Sequence, residues 1–158
     1  MKIDHLNIVV ADMDRSVRFY TRLGLRPGMD TFISGAWIAN VVGIQDEQLK
    51  ARVVFMEPDA GNARLELIQY MTPVGNTVST NSKPNTLGLR HFALVVDDIM
   101  KTYQNLLNAG VTFFSEPQEV TGNAEVAARL GRKKLVYLLD PDGVIVELAE
   151  YSLPDSIT

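Results

Sequence analysis

Residues 3–13 read IDHLNIVVADM and residues 89–99 read LRHFALVVDDI, and the chain's two histidines, His5 and His91, each stand third in one of these segments. Aligning them gives an offset of 86 that runs without a gap for twenty positions. Val9-Val10 falls on Val95-Val96, Asp12 on Asp98, Met13 on Ile99 and Gly24 on Gly110. Each segment reads as a strand, an aspartate helix cap, an amphipathic helix and a glycine stop. Met13, Val17, Tyr20 and Leu23 recur at spacings of four and three, and Ile99, Tyr103 and Leu106 hold the places of the first three, with Gly110 closing the second helix. That period turns one stripe of each helix toward a core. A fixed internal offset marks a repeat, and a repeat decides the architecture.

The repeat extends outward. Residues 53–70, VVFMEPDAGNARLELIQY, are matched by residues 135–151, LVYLLDPDGVIVELAEY, each an apolar run, a Pro-Asp turn with glycine, and a second apolar run. This is a hairpin pattern, and it places Glu66 on Glu147, Leu67 on Leu148 and Tyr70 on Tyr151. Each module therefore reads strand, helix, then antiparallel strands. Module one covers about 1–70, a polar linker rich in Thr, Asn, Pro and Gly about 71–88, module two about 89–151, and a tail 152–158. A strand is expected around Thr31–Ala39, a loop through Gly43–Lys50, a variable loop over 117–133 and a strand at Lys134–Leu139.

Composition narrows the function classes. The 158 residues are 46% hydrophobic and 22% charged, with a formal net charge of -4, which fits a globular domain and gives no electrostatic case for nucleic acid or an anionic membrane. The basic clusters Arg15–Arg22 and Arg129–Lys134 are short and read as solvated faces. No cysteine is present, so thiolate and disulfide chemistry do not arise. No apolar stretch approaches the roughly 18–20 residues of a membrane span. The segment after Met1 alternates instead of joining a basic region to an apolar run, so a cytoplasmic protein is expected.

Taken singly, His5 reads most simply as a buried, hydrogen-bonded histidine. Glu66 is stranger, because Leu65-Glu66-Leu67-Ile68 sets a carboxylate inside an apolar run, where it calls for a cation, a proton or solvent. The repeat alters both readings. If two copies of one module pack about a pseudo-twofold axis, equivalent residues converge, and His5, Glu66, His91 and Glu147 form one set of two imidazoles and two carboxylates. Such a set suits one divalent ion, Zn, Ni, Co, Mn or Fe(II), better than Cu(I) or magnesium. Strand parity adds Asn7, Arg64, Tyr70 and Tyr151 to the same faces as candidates for orienting a small-molecule substrate.

At these residues the chain resembles the vicinal oxygen chelate superfamily, which includes glyoxalase I, methylmalonyl-CoA epimerase, extradiol dioxygenases and the fosfomycin and bleomycin resistance proteins. The resemblance is carried by DHLNIVVADMDRSVRFYTRLGL, RLELIQY, LRHFALVVDDI and YLLDPDGVIVELAEY, almost the whole chain. It implies an α+β fold of two βαβββ modules whose sheets curl into an open, U-shaped, barrel-like trough around the metal, and a homodimer. It implies His5, Glu66, His91 and Glu147 as metal ligands, with Glu66 and Glu147 also carrying protons. The His/Glu/His/Glu set is most similar to the isomerase branch. That points to a metal-dependent isomerase, epimerase or lyase working on a small carbonyl-type substrate through an enolate. An Fe(II) ring-cleaving dioxygenase and a non-catalytic binding or resistance protein are the alternatives. Bacterial glyoxalase I carries an arginine four residues after its first ligand histidine and an asparagine four after its first ligand glutamate. Val9 and Tyr70 stand at those places here, so a glutathione thioester product is not expected.

Overall fold

The structure is a computed structural model that describes residues 3–61, 63–77, 83–120 and 132–152. The chain divides into two compact units, Met1–Ser79 and Thr80–Thr158. The first holds β1 (His5–Val9), α1 (Met13–Arg22), β2 (Arg26–Ser34), α2 (Ala36–Val42), β3 (Lys50–Glu57) and β4 (Arg64–Thr72). The second holds β5 (His91–Val95), α3 (Ile99–Asn108), β6 (Gln118–Glu119), β7 (Arg132–Leu139) and β8 (Ile145–Ser152). Each unit forms an open four-stranded sheet, in the orders β1-β4-β3-β2 and β5-β8-β7-β6. In each, one parallel pair (β1 with β4, β5 with β8) joins an otherwise antiparallel sheet. The fold is thus α+β, built from two βαβββ modules, as the repeat predicts.

The helix boundaries follow from local chemistry. The Asp12 carboxylate accepts the Arg15 amide at 2.9 Å, and the Asp98 carboxylate accepts the Lys101 amide at 2.8 Å, which satisfies an otherwise orphaned helical N–H in each case. Both helices end in the same way: Leu25 N–H bonds the Tyr20 carbonyl and Gly24 N–H that of Thr21, while Val111 bonds Leu106 and Gly110 bonds Leu107. This paired closure requires a left-handed residue just past the helix, and Gly24 (φ 94°) and Gly110 (φ 82°) supply it.

A second pair of bonds fixes which face of each sheet the helix covers. The Gln69 side chain accepts the Met13 amide at 3.1 Å, and the Glu150 carboxylate accepts the Ile99 amide at 2.8 Å. Gln69 and Glu150 share their sheet face with Leu65 and Leu67, and with Val146 and Leu148. These residues, with Val54 and Met56 of β3 and Val136 and Leu138 of β7, are buried with the stripes Met13–Phe19–Tyr20 and Ile99–Leu106. Ser16, not Val17, completes the buried stripe of α1, and it is fully buried. Three residues past Met13 is as good a helical neighbour as four, and a small side chain fits there.

Other expectations are corrected. The strand expected around Thr31–Ala39 begins earlier, at Arg26, and ends at Ser34, and Ala36–Val42 is helical. Gly35 (φ 96°) turns the chain, and its carbonyl accepts the Ala39 amide to start the helix. β4 runs on through Thr72 into the expected linker. β7 starts at Arg132, two residues before Lys134, and the short β6 lies within the expected loop 117–133, of which 121–131 falls outside the described residues, as do 153–158 of the tail. α2 covers part of the face of sheet one that α1 leaves open, where Ile38 and Ala39 pack with Leu49, Ala51, Val53, Phe55 and Ile68.

Arg52 ties three elements of unit one. Its guanidinium forks onto Asp30 (2.9 and 2.7 Å) and reaches Asp14 at 2.8 Å, and the Asp30 carboxyl is held below its ordinary range chiefly by that hydrogen bond. The carboxylates are largely exposed, so Arg52→Met is expected to cost only about 1 kcal/mol in urea unfolding. Because the folded Asp30 pKa is depressed, this difference is present above its unfolded value and shrinks as pH falls through the folded one, which repeating the unfolding at acid pH would check.

Candidate functional site

The parallel register pairs His5 with Arg64 and Asn7 with Glu66, so His5, Asn7, Arg64 and Glu66 share the face opposite α1. In unit two His91 pairs with Ile145 and Ala93 with Glu147, repeating the geometry. The diagonal neighbours meet in both: His5 Nε2 lies 3.4 Å from Glu66 Oε2, and His91 Nε2 lies 3.3 Å from Glu147 Oε2. Among the described residues no group of three or more His, Asp or Glu side chains gathers as a metal site; what the structure brings together is the two pairs, His5 with Glu66 and His91 with Glu147.

The carboxylate of Asp4 orients the first imidazole. His5 Nδ1 is 2.8 Å from Asp4 Oδ2, which also accepts Arg64 Nη2 at 2.7 Å. Those two bonds, His5 first, lower the Asp4 pKa. The Arg64 guanidinium is steadied in turn over the Phe55 ring, 4.3 Å from its centroid, and the His5 ring meets Phe55 edge-on. A neutral His5 that donates through Nδ1 leaves Nε2 as a bare lone pair facing a carboxylate oxygen. Two acceptors at that distance are reconciled by a proton or a cation between them. Asn7 closes the group by donating to Glu66 Oε2 and to the Glu66 carbonyl, both at 3.2 Å.

The second pair sits in different company. Lys133 Nζ lies 2.6 Å from Glu147 Oε1 and 5.5 Å from the Tyr151 ring centroid. Burial works against this ammonium, but the hydrogen bond and charge of Glu147 outweigh it and raise its pKa. Tyr137 stacks at a tilt on His91, with centroids 5.0 Å apart, and its phenol is pushed up by burial and by the Glu147 charge and hydrogen bond. The Glu147 side chain is only 5% exposed, against 19% for Glu66.

The hairpin registers make the comparison residue by residue. Lys133 pairs with Tyr151 and Tyr137 with Glu147, while Ala51 pairs with Tyr70 and Phe55 with Glu66. Module one thus has alanine and phenylalanine where module two has lysine and tyrosine. Of the expected orienting residues, Asn7 reaches Glu66, Arg64 acts through Asp4, and Tyr151 lies by Lys133, whereas Tyr70 packs against the apolar cluster under α2. The sequence reading missed Asp4, Lys133 and Tyr137. Parity counted back from Glu147 along the hairpin would have placed both Tyr137 and Lys133 on its face.

Residues 2–148 match the sequence profile of the Glyoxalase/Bleomycin resistance protein/Dioxygenase superfamily. The chain is 25% identical over 92% of its length to the lactoylglutathione lyase GLX1 of Arabidopsis thaliana, of which it spans 43%. It is 23% identical over 95% of its length to a virulence protein of Salmonella typhimurium, of which it spans 84%. A glyoxalase family protein from Bacillus cereus superimposes with a TM-score of 0.80 at 22% identity, covering 96% of this chain and 94% of that one. That likeness establishes the fold.

If Asp4 sets the His5 tautomer, ¹⁵N NMR of the neutral imidazole will show the proton on Nδ1, and Asp4→Ala will shift the population toward Nε2–H. An unchanged tautomer ratio would remove Asp4 from the site.

Proposed function

The chain belongs to the Glyoxalase/Bleomycin resistance protein/Dioxygenase superfamily, and from that premise we propose that it is a divalent-metal-dependent isomerase, epimerase or lyase acting on a small carbonyl-type substrate. The observation that carries the reading is the repeated Nε2–Oε2 approach of 3.4 and 3.3 Å. Donors on one tetrahedral ion, at bond lengths of about 2.0–2.2 Å, stand roughly 3.4 Å apart. The donor chemistry fits as well, since Asp4 holds His5 through Nδ1 and leaves Nε2 free, an outer-shell arrangement usual for a metal-ligating histidine. On this reading His5, Glu66, His91 and Glu147 hold one ion, Zn, Ni, Co, Mn or Fe(II).

When bound, the ion would supply Lewis acidity to a substrate carbonyl and so ease loss of the adjacent proton as an enolate forms. The chain's own residues divide the remaining work. Glu147 is the more buried carboxylate, which suits a ligand that keeps its place. Glu66 is the more exposed carboxylate and accepts a longer bond from Asn7, which suits the group that takes and returns a proton. Glu147 serves as the second proton carrier where the proton returns to the opposite side. Asn7 donates to Oε2, the same Glu66 oxygen that faces His5, and so fixes its direction. Val9, exposed on the site face, and Tyr70, packed under α2, leave no cationic or amide group where a glutathione adduct would need one.

Among the described residues no helix is long and apolar enough to cross a membrane, and a cytoplasmic homodimer completes the proposal. Light scattering on the purified chain tests the dimer.

Elemental analysis of the purified protein is expected to give about one divalent ion per chain. His91→Ala and Glu147→Gln should lose it together with solvent-deuterium exchange into a panel of small 2-hydroxy carbonyl compounds. Asp4→Asn should weaken metal affinity by about 10- to 100-fold while leaving the fold intact by circular dichroism. Metal binding that survives both His91→Ala and Glu147→Gln would sink the ligand assignment. Oxygen uptake with Fe(II) and catechols would favour the ring-cleaving alternative, and ligand binding without isotope exchange a binding protein.

A further inference from the structure

We propose that Lys133 is a specificity-determining residue that selects substrates carrying a carboxylate beside the reacting carbonyl. The inference rests on the metal-dependent reading above and adds the charge of what is bound. Two glutamates neutralise one divalent ion, so a set of two imidazoles and two carboxylates leaves a loaded site with no net charge. Lys133 leaves one positive charge over, on the same strand face as Glu147 and Tyr151. Its Nζ engages Glu147 through Oε1, while Oε2 is the oxygen turned to His91. One carboxylate thus sets the ammonium on one side and the imidazole on the other.

The lysine is not required by the fold. At the corresponding register position module one carries Ala51, also paired with a tyrosine and also two strand positions short of a branched aliphatic residue in the same face. Keeping an ammonium on a largely covered sheet face costs solvation, and Glu147 alone does not account for it, since Glu66 is accommodated by an amide and an imidazole. An ammonium carries three N–H donors; Glu147 occupies one and the Tyr151 hydroxyl engages a second. An anionic oxygen entering beside Glu147 finds the third, and it balances the surplus charge.

The test uses the full chain loaded with Co(II), whose visible spectrum reports on what enters the metal's coordination, titrated with glycolate and with its neutral isostere glycolamide. Wild-type protein should bind glycolate more tightly than glycolamide. Lys133→Met should lose at least about tenfold in glycolate affinity and nothing for glycolamide, with cobalt content unchanged, while Lys133→Arg keeps the preference. Equal glycolate affinity in wild type and Lys133→Met would overturn the proposal. So would loss of cobalt from Lys133→Met, because the lysine would then support the ligand Glu147 and not the substrate. A wild-type chain that takes up no cobalt would instead overturn the metal reading. In that case glycolate binding to the metal-free chain, abolished by Lys133→Met, would uphold the lysine's role, and its persistence would refute it.

Discussion

Everything at the candidate site depends on one parallel strand pair in each unit. β1 and β4 are joined through two helices and two further strands, and β5 and β8, among the described residues, through one helix and two further strands. Parallel pairing lets the first and last strands of a module lie side by side, so a histidine at the module's start meets a glutamate near its end. The register is held from the other side of the sheet. Gln69 and Glu150 bind the first amides of the helices, and the leucines beside them are buried. A slip of one residue would bury Glu66 under α1 and expose Leu65, exchanging an apolar contact for an unpaired charge in the core. The polar pair is therefore positioned by hydrophobic burial on the opposite face, and not by its own attraction.

The two halves repeat their scaffold more faithfully than their chemistry. Helix caps, helix closures and strand orders coincide position by position. The surroundings of the glutamates do not. One carboxylate is held by an amide and an imidazole beside an Asp–Arg pair, and the other by an ammonium and a phenol. Arg90 stands where Asp4 would fall in the second module, so even the residue before each histidine differs in sign. Such a division separates one well-anchored carboxylate from one with more freedom, the asymmetry that the proposed proton transfer uses.

The sequence made the scaffold legible because its signals are periodic and duplicated. Asp12 and Asp98, Gly24 and Gly110, and the two Pro-Asp turns each occur twice, and a signal seen twice at one offset is hard to mistake. Asp140 shows why such turns hold: its side chain accepts the amides of Asp142 and Val144 while Gly143 takes a positive φ. Residues 29–50 carry no duplicated signal of that kind, and there the reading strayed. Ala36–Val42 is an apolar run whose period does not distinguish strand from helix, and only Gly35 marks the change. Around the glutamates, the four donors stood out because each broke an apolar pattern. Lys133 did not, because it sits in a basic run, Arg132-Lys133-Lys134, that reads as solvated surface until the hairpin register turns its middle member inward.

The connection from β2 to β3 closes on itself. Ser34 and Lys50 are register partners, and just beyond them the Gly35 amide bonds the Leu49 carbonyl at 2.9 Å. The residues between thus leave and re-enter the sheet at a single doorway. A segment anchored this way can lengthen, shorten or be exchanged without strain on the strands, since its ends stay adjacent whatever lies between them. Because α2 lies over the open face of sheet one, a change in this segment would reshape the wall above Phe55 and Ile68 while the donors below kept their places. On the proposed reading this segment is an interchangeable cassette, able to change what lies beside the donors while the strands that carry them stay as they are.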